Sequence, residues 1–251
     1  MPLLPGAEPY AHEGGPVGVL VLHGFTGCPQ SIRPWAEYLA AEGLTVSAPR
    51  LPGHGTRWQD LQLTRWQDWY GEAERAFDAL RSQCEQVFVM GLSMGGTLTL
   101  RLAEERASEV AGIVLVNPSL FSLNKLAKLA PLLKFLVPSV KGIGSDIKAP
   151  NMKELAYERV PAKAFMSLTE MWKLTRADLG KITAPTLLCH SEDDHVVEPQ
   201  NSEALLAEIG SSDVREIVLH ESYHVATLDN DRETIFRESL AFVRAHAGAV
   251  A

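Results

Sequence analysis

The chain has 251 residues, of which 46% are hydrophobic and 22% are charged, so it is long enough for one large globular domain with a well-developed core. Its formal net charge of −8 at pH 7 argues against a nucleic-acid surface, and no stretch approaches the roughly 20 apolar residues of a membrane span. Three widely separated cysteines and the absence of a leader-like start lead us to expect free thiols, no signal peptide and a cytoplasmic location.

The first predicted elements alternate between strand and helix. The apolar run Val17–Leu22 predicts a strand, and it leads into His23–Gly27, where glycines allow the backbone to approach a ligand closely. A helix is predicted from Ile32 to Ala41 and ends at Gly43, which suits a left-handed cap. Thr45–Ala48 predicts a short second strand. This alternation implies a mostly parallel central sheet flanked by helices.

The next predicted helix begins at a capping signal. Thr64 and Gln67 have the spacing of a capping box, in which each side chain satisfies a free backbone N–H of the first turn. We therefore expect a helix from Thr64 to about Gln83. Its aromatic residues are interpreted as part of the core.

Gly91–Gly95 is the most informative segment of the chain. It lies between the apolar run Val87–Met90 and the predicted helix Thr97–Ala103, which places Ser93 on a strand-to-helix turn. Glycine two residues to either side of a serine is typical of a turn too tight for a Cβ, and such a turn exposes the hydroxyl of a nucleophile. Ser93 is the predicted nucleophile.

A long insert interrupts the alternation after the strand predicted at Gly112–Asn117. Residues 118–180 are rich in proline and are expected to form short helical pieces that cover the site as a cap. Part of this cap is predicted to be an amphipathic helix, either packed on the body or acting as a lid that lines an acyl tunnel or touches lipid aggregates transiently. Its leucines recur at helical spacing: Leu123, Leu126, Leu129, Leu133 and Leu136.

A carboxylate is needed downstream to orient the base of a nucleophilic serine. The strand predicted at Pro185–His190 runs into an acidic loop, and Asp194 is the candidate, since its offset from Val197 matches the usual acid loop. Asp193 and Glu192 are the alternatives, although both also suit a solvated turn.

The base is expected on the loop after the following strand. Arg215–Leu219 predicts that strand, and His224 follows it, so His224 is the candidate. His195 and His220 are the alternatives; His195 adjoins the acid in sequence, and His220 still belongs to the strand end. A last helix is expected to start near Asp231.

Acyl transfer also requires backbone donors for the oxyanion that forms when the serine attacks a carbonyl. The N–H of Met94 is implied by the turn itself, because it follows the nucleophile. Phe25, on the loop after the first strand, is expected to supply the second N–H. His23 is interpreted as a structural histidine that hydrogen-bonds this loop.

Taken together, these motifs resemble the α/β-hydrolase superfamily, and within it the small bacterial carboxylesterases and monoacylglycerol lipases. Two motifs in the insert, Gly142–Asp146 and Glu154–Glu158, are similar to the cap of the lipases. The resemblance implies an α/β-hydrolase core over 1–117 and 181–251 and a helical cap over 118–180. The motifs of the core are His23–Gly27, Pro52–Gly55, Gly91–Gly96, the Asp194 loop and Ser222–Thr227.

The function implied by this resemblance is hydrolysis of monoacylglycerols or short to medium chain esters through an acyl-serine, with no metal or organic cofactor. Glu154 would bind the hydroxyls of the glycerol group, or else be a surface charge, and Ile143 would line the pocket. Thioesterase, peptidase, carbon–carbon hydrolase and haloperoxidase-like activities use the same scaffold, as do non-catalytic binding proteins. The sequence leaves the oligomeric state open.

Overall fold

The computed structural model describes residues 2–123 and 137–248. Of the leucine repeat predicted for the insert, only Leu123 falls within these residues, where it is half exposed. The predicted amphipathic helix therefore lies outside the described residues. None of the helices within the two ranges is long and apolar enough to cross a bilayer.

A sheet forms the centre of the described structure. The strands of the described residues are β1 Tyr10–His12, β2 Val17–Leu22, β3 Thr45–Ala48, β4 Gln86–Leu92, β5 Val110–Val116, β6 Ser139–Lys141, β7 Arg159–Pro161, β8 Thr186–Ser191 and β9 Val214–Leu219. The order in the central sheet is β1-β3-β2-β4-β5-β8-β9, and every neighbouring pair is parallel except β1 and β3. This confirms the mostly parallel sheet expected from the alternation of elements.

The sequence patterns missed the edge strand β1. It has only three residues, with intermediate or exposed side chains, so it carries no apolar periodicity. Its pairing with β3, Tyr10 opposite Ala48 and His12 opposite Val46, is what makes it a strand. The other strands of the central sheet lie within two residues of their predicted positions.

Helices cover both faces of the sheet. The helices of the described residues are α1 Arg33–Ala41, α2 Trp58–Leu61, α3 Trp66–Arg81, α4 Met94–Glu105, α5 Ala162–Asp178, α6 Gln200–Glu208 and α7 Arg232–His246. Leu20 and Leu22 of β2 belong to one buried cluster with α3 and α4, whereas Val19 and Val21 belong to a second with α1 and α7. Residues of a strand point alternately to opposite faces, so an uninterrupted apolar run needs helices on both.

The capping box predicted at Thr64 is wrong by one residue. Helix α3 begins at Trp66, and the Asp68 carboxylate accepts the N–H of Arg65 over 2.8 Å. The Thr64 hydroxyl instead accepts the indole N–H of Trp69 and donates to the carbonyl of Leu61. Thr64 therefore stabilises the turn that precedes the helix.

The insert contains more regular structure than its prolines suggested. In the described part, β6 and β7 form a two-stranded antiparallel sheet, and the 17-residue helix α5 follows directly after Pro161. The expectation of short helical pieces is wrong for this part. Helix α5 packs on α3 and α4 and buries Leu168 and Met171 in the core, so it joins the insert firmly to the body.

Candidate active site

Ser93 occupies a strained turn between β4 and α4. Its backbone angles are φ +55° and ψ −116°, in a region that a residue with a side chain rarely adopts. A Cβ on Gly91 would lie 2.2 Å from the carbonyl carbon of Gly95, and one on Gly95 would lie 2.1 Å from the carbonyl oxygen of Leu22. Both positions therefore require glycine, as the sequence predicted. Such strain is commonly found at functional sites.

Asp194 lies on the loop after β8 and pairs with His224. Its Oδ2 atom is 2.7 Å from Nδ1 of His224, and its Oδ1 atom accepts the N–H groups of Val196 and Val197, each over 2.8 Å. Burial alone would raise the pKa of Asp194, but the imidazole and these hydrogen bonds hold it below its ordinary value. Asp194 is therefore held as a carboxylate.

The ionised Asp194 sets the tautomer of His224. A carboxylate only accepts hydrogen bonds, so Nδ1 of His224 carries the proton and Nε2 of the neutral ring is left as an acceptor. Burial lowers the pKa of His224, but the charge and hydrogen bond of Asp194 outweigh it and leave the pKa above 6.5. The imidazole is thus prepared to accept a proton at Nε2.

The alternative bases lie elsewhere. His195 contacts Asp146 of the insert through Nδ1 over 2.9 Å, and His220 is exposed and contacts Glu192 over 2.8 Å. His224, by contrast, lines the cavity that Ser93 opens into. Of the three histidines considered, His224 is the one that lines the same cavity as Ser93.

The alternative acids are likewise placed away from His224. Glu192 is engaged with His220, and the Asp193 side chain is 64% exposed, with the ring of His195 as its neighbour at 3.4 Å. Only Asp194 of this loop is bonded to His224.

The loop after β2 is held by the structural histidine that was expected there. Nε2 of His23 accepts the N–H of Leu51 over 3.2 Å, so Nδ1 carries the proton and donates to the carbonyl of Gly24 over 3.0 Å. Burial lowers the pKa of His23 to about 4, which keeps the ring neutral. Phe25 lines the cavity, and Met94 begins α4 directly after Ser93.

Ser93 and His224 share one cavity of about 380 Å³. No direct hydrogen bond joins the two side chains in the described part of the chain, and such bonds commonly tighten only when substrate binds. The cavity wall is mainly apolar and includes Ile143. Other apolar lining residues are Phe121, Val140, Val160, Phe165, Leu168 and Trp172.

Glu154 brings a carboxylate to this apolar wall. Gln30 holds the adjoining backbone, because it accepts the N–H of Leu155 over 2.9 Å and donates to the carbonyl of Lys153 over 3.1 Å. The carboxylate itself has no hydrogen-bond partner among the described residues. Burial raises its pKa to about 7, although the nearby imidazole of His224 acts in the opposite direction. Glu154 is therefore open to a donor that enters the cavity.

Two residues that the sequence did not single out hold the backbone of His224. Nδ2 of Asn117, directly after β5, donates to the carbonyl of His224 over 2.8 Å. Oδ2 of Asp146 accepts the N–H of His224 over 3.1 Å. Asp146 lies in a segment that resembles the cap of the lipases, and no local signal links either residue to the histidine.

Among the described residues, no group of three or more histidine, cysteine, aspartate or glutamate side chains is arranged to hold a metal ion.

Comparison with known protein families identifies the family of this chain. The family described as serine aminopeptidase, S33, matches residues 17–231, which include every strand from β2 to β9. The chain belongs to this family. It is a serine hydrolase with the α/β-hydrolase fold, in agreement with the motifs of the sequence.

Proteins similar to this chain include lipases and esterases. The thermostable monoacylglycerol lipase of Bacillus sp. strain H-257 is 44% identical over 98% of both chains. The carboxylesterase of Bacillus subtilis strain 168 is 26% identical over 94% of this chain and 96% of its own length. A solved structure reported for the metagenome-derived lipolytic enzymes LipS and LipT is 42% identical, covers 98% of this chain and 100% of its own, and has a TM-score of 0.95.

Proposed function

We propose that the protein hydrolyses carboxylic esters, with monoacylglycerols as the preferred substrate class. One observation carries the proposal: the hydrogen-bonded pair of Asp194 and His224 meets Ser93 in an apolar cavity whose wall also presents the unpartnered carboxylate of Glu154. An apolar cavity suits an acyl chain, and a free carboxylate suits an alcohol that still carries hydroxyl donors. The 44% identity to a monoacylglycerol lipase supports the same substrate class.

The proposed reaction proceeds in two steps. Nε2 of His224 takes the proton of Ser93 as Oγ attacks the ester carbonyl, and the N–H groups of Met94 and Phe25 stabilise the oxyanion. The carbon–oxygen bond to the alcohol then breaks, His224 returns the proton to the alcohol, and an acyl-serine remains. Water attacks this ester with His224 again as the base, and the fatty acid leaves.

The remaining residues have supporting parts in the proposal. Glu154 accepts hydrogen bonds from the glycerol hydroxyls, and Ile143 lines the pocket where acyl chain and alcohol meet. Residues 118–180 act as a cap on a core formed by 1–117 and 181–251; the position of β6, β7 and α5 around the cavity supports this division. The three buried free thiols support a reducing compartment such as the cytoplasm.

A comparison of substrates tests the proposal. Glu154→Ala is expected to lower kcat/KM for a monoacylglycerol about 10- to 100-fold, the cost of losing hydrogen bonds to a charged group, and to affect the p-nitrophenyl ester of the same acid much less. Glu158→Ala is the matched control, since Glu158 is an exposed glutamate of the same segment that does not line the cavity. Equal losses on both substrates would contradict the proposed role of Glu154. Preferential turnover of an acyl thioester by the wild type would contradict the substrate class.

A further inference from the structure

Asp146 joins the insert to both loops that carry the proposed acid and base. Its Oδ2 atom accepts the N–H of His224 over 3.1 Å and that of His195 over 3.3 Å, and its Oδ1 atom lies 2.9 Å from Nδ1 of His195. Its main-chain carbonyl also accepts the N–H of Val225 over 3.1 Å. Asp146 of the insert is thus hydrogen-bonded both to His195, the residue after Asp194, and to the backbone at His224.

The segment that follows Asp146 is anchored independently. The buried carboxylate of Asp229 accepts the N–H groups of Lys148 over 2.7 Å and Ala149 over 2.8 Å. It also accepts the N–H of Tyr223, the residue before the histidine, over 2.9 Å. Asp229 therefore fixes this part of the insert beside the histidine loop, so the position of Asp146 does not depend on its own bonds alone.

The backbone of His224 is consequently held from two sides. Asn117 is a buried residue of the core; its amide donates to the carbonyl of His224, and its Oδ1 accepts the N–H of Ser191 over 2.7 Å. Asp146 holds the opposite end of the same residue through its N–H. The core restrains the carbonyl side, and the insert restrains the amide side.

We propose that Asp146 is a positioning residue for His224, so that the insert completes the acid–base arrangement in addition to covering the cavity. This inference rests on the proposed function, in which His224 is the base. Removing the restraint on the amide side lets the imidazole drift relative to Ser93, and a displacement of about 1 Å is enough to cost roughly 100-fold in rate.

The charge of Asp146 provides a second readout. The charged groups that face His224 are Asp194, Glu154 and Asp146, and each raises its pKa. Asp146 also faces His195, whose pKa it raises, and Asp193 is a neighbour of that imidazole. Replacing Asp146 by alanine removes both the acceptor oxygens and a negative charge, so the pKa of His224 falls. A loss of overall stability alone would not shift this pKa.

The experiment compares Asp146→Ala with Asp193→Ala, a matched loss of one carboxylate on a neighbouring exposed residue that makes no bond to His224. Hydrolysis of p-nitrophenyl butyrate is measured from acid to alkaline pH, together with the labelling rate by a fluorophosphonate probe and the melting temperature. For Asp146→Ala we expect kcat to fall about 10- to 100-fold with KM unchanged, and the acidic limb of the rate profile to move to lower pH. Asp193→Ala is expected to match the wild type.

The inference is overturned if folded Asp146→Ala keeps the kcat and pH profile of the wild type, or loses rate with no shift of the profile. Should Asp146→Ala not fold, Asp146→Glu decides, because it keeps the charge but moves the acceptor oxygens by one methylene: a lower kcat at a wild-type melting temperature supports the inference, and an unchanged kcat overturns it. A wild-type protein inert toward every ester and toward the probe would instead contradict the proposed function.

Discussion

In the folded chain, Nδ1 of His224 lies 2.7 Å from Oδ2 of Asp194, although 30 residues separate the two in sequence. Both side chains are almost fully buried, with 9% and 3% of their surfaces exposed. Because these side chains are so little exposed, little water competes for the hydrogen bond between them, and the carboxylate fixes the tautomer of the imidazole strongly.

Replacing Asp194 by asparagine tests this relationship directly. The amide of the introduced side chain can donate to Nδ1, so the ring would carry its proton on Nε2 and lose its capacity as a base. We expect kcat to fall by about 10⁴-fold while the fold is retained. Ester hydrolysis and circular dichroism measure the two effects. An Asp194→Asn protein that keeps a tenth or more of the activity, roughly a loss of 1.4 kcal/mol or less, would contradict the assignment.

The strain at Ser93 can be measured with two inactive variants. Ser93→Ala and Ser93→Gly both lack the hydroxyl, so neither should hydrolyse esters or react with a fluorophosphonate. Alanine keeps the Cβ at φ +55°, whereas glycine adopts this conformation freely. We expect the glycine variant to have a free energy of unfolding larger by about 1 kcal/mol, as measured by urea denaturation. Equal stability of the two variants would show that the turn is unstrained.

The pH dependence of the reaction should respond to Glu154. His224 must be neutral to accept a proton, so kcat/KM rises with pH through its pKa, which lies above 6.5. Because the charge of Glu154 contributes to raising that pKa, Glu154→Gln should move the rise to lower pH. Glu154 itself has a pKa of about 7, so the wild-type profile combines both groups. The measurement is kcat/KM for a p-nitrophenyl ester as a function of pH. If the rise of kcat/KM occurs at the same pH in Glu154→Gln as in the wild type, the carboxylate is too far from the imidazole to affect its pKa.

Gly27 offers a way to move the Glu154 carboxylate without replacing it. A Cβ on Gly27 would lie 2.6 Å from Oε1 of Glu154, the flexible end of the side chain. Gly27→Ala should therefore lower kcat/KM for monoacylglycerols in the wild type but have little further effect in Glu154→Ala, a coupling that a double-mutant cycle measures. Gly71→Ala is the control, since nothing lies within 4 Å of its Cβ. Additive losses would mean that Gly27→Ala acts through another contact.

The error at Thr64 shows where sequence patterns reach their limit. The spacing of Thr64 and Gln67 favoured a helix start there, but the free N–H of Trp66 is satisfied by the hydroxyl of Ser167, 101 residues further along the chain. A hydrogen-bond partner that lies on a distant helix cannot be recognised from the spacing of neighbouring residues. The short edge strand β1 was missed for the same reason, because only its pairing with β3 defines it.

The sequence by itself determined the strained turn at Ser93 and the succession of strands that are followed by Asp194 and His224, since these follow from steric demands within a few residues and from the alternation of elements. Tertiary structure alone decided that Glu154 faces the cavity unpartnered and that Asp146 and Asn117 hold His224 across 78 and 107 residues of chain. The physical reason is that a turn is specified by the clashes of neighbouring atoms. A hydrogen bond between distant segments depends on where the packing of the whole sheet and insert brings them.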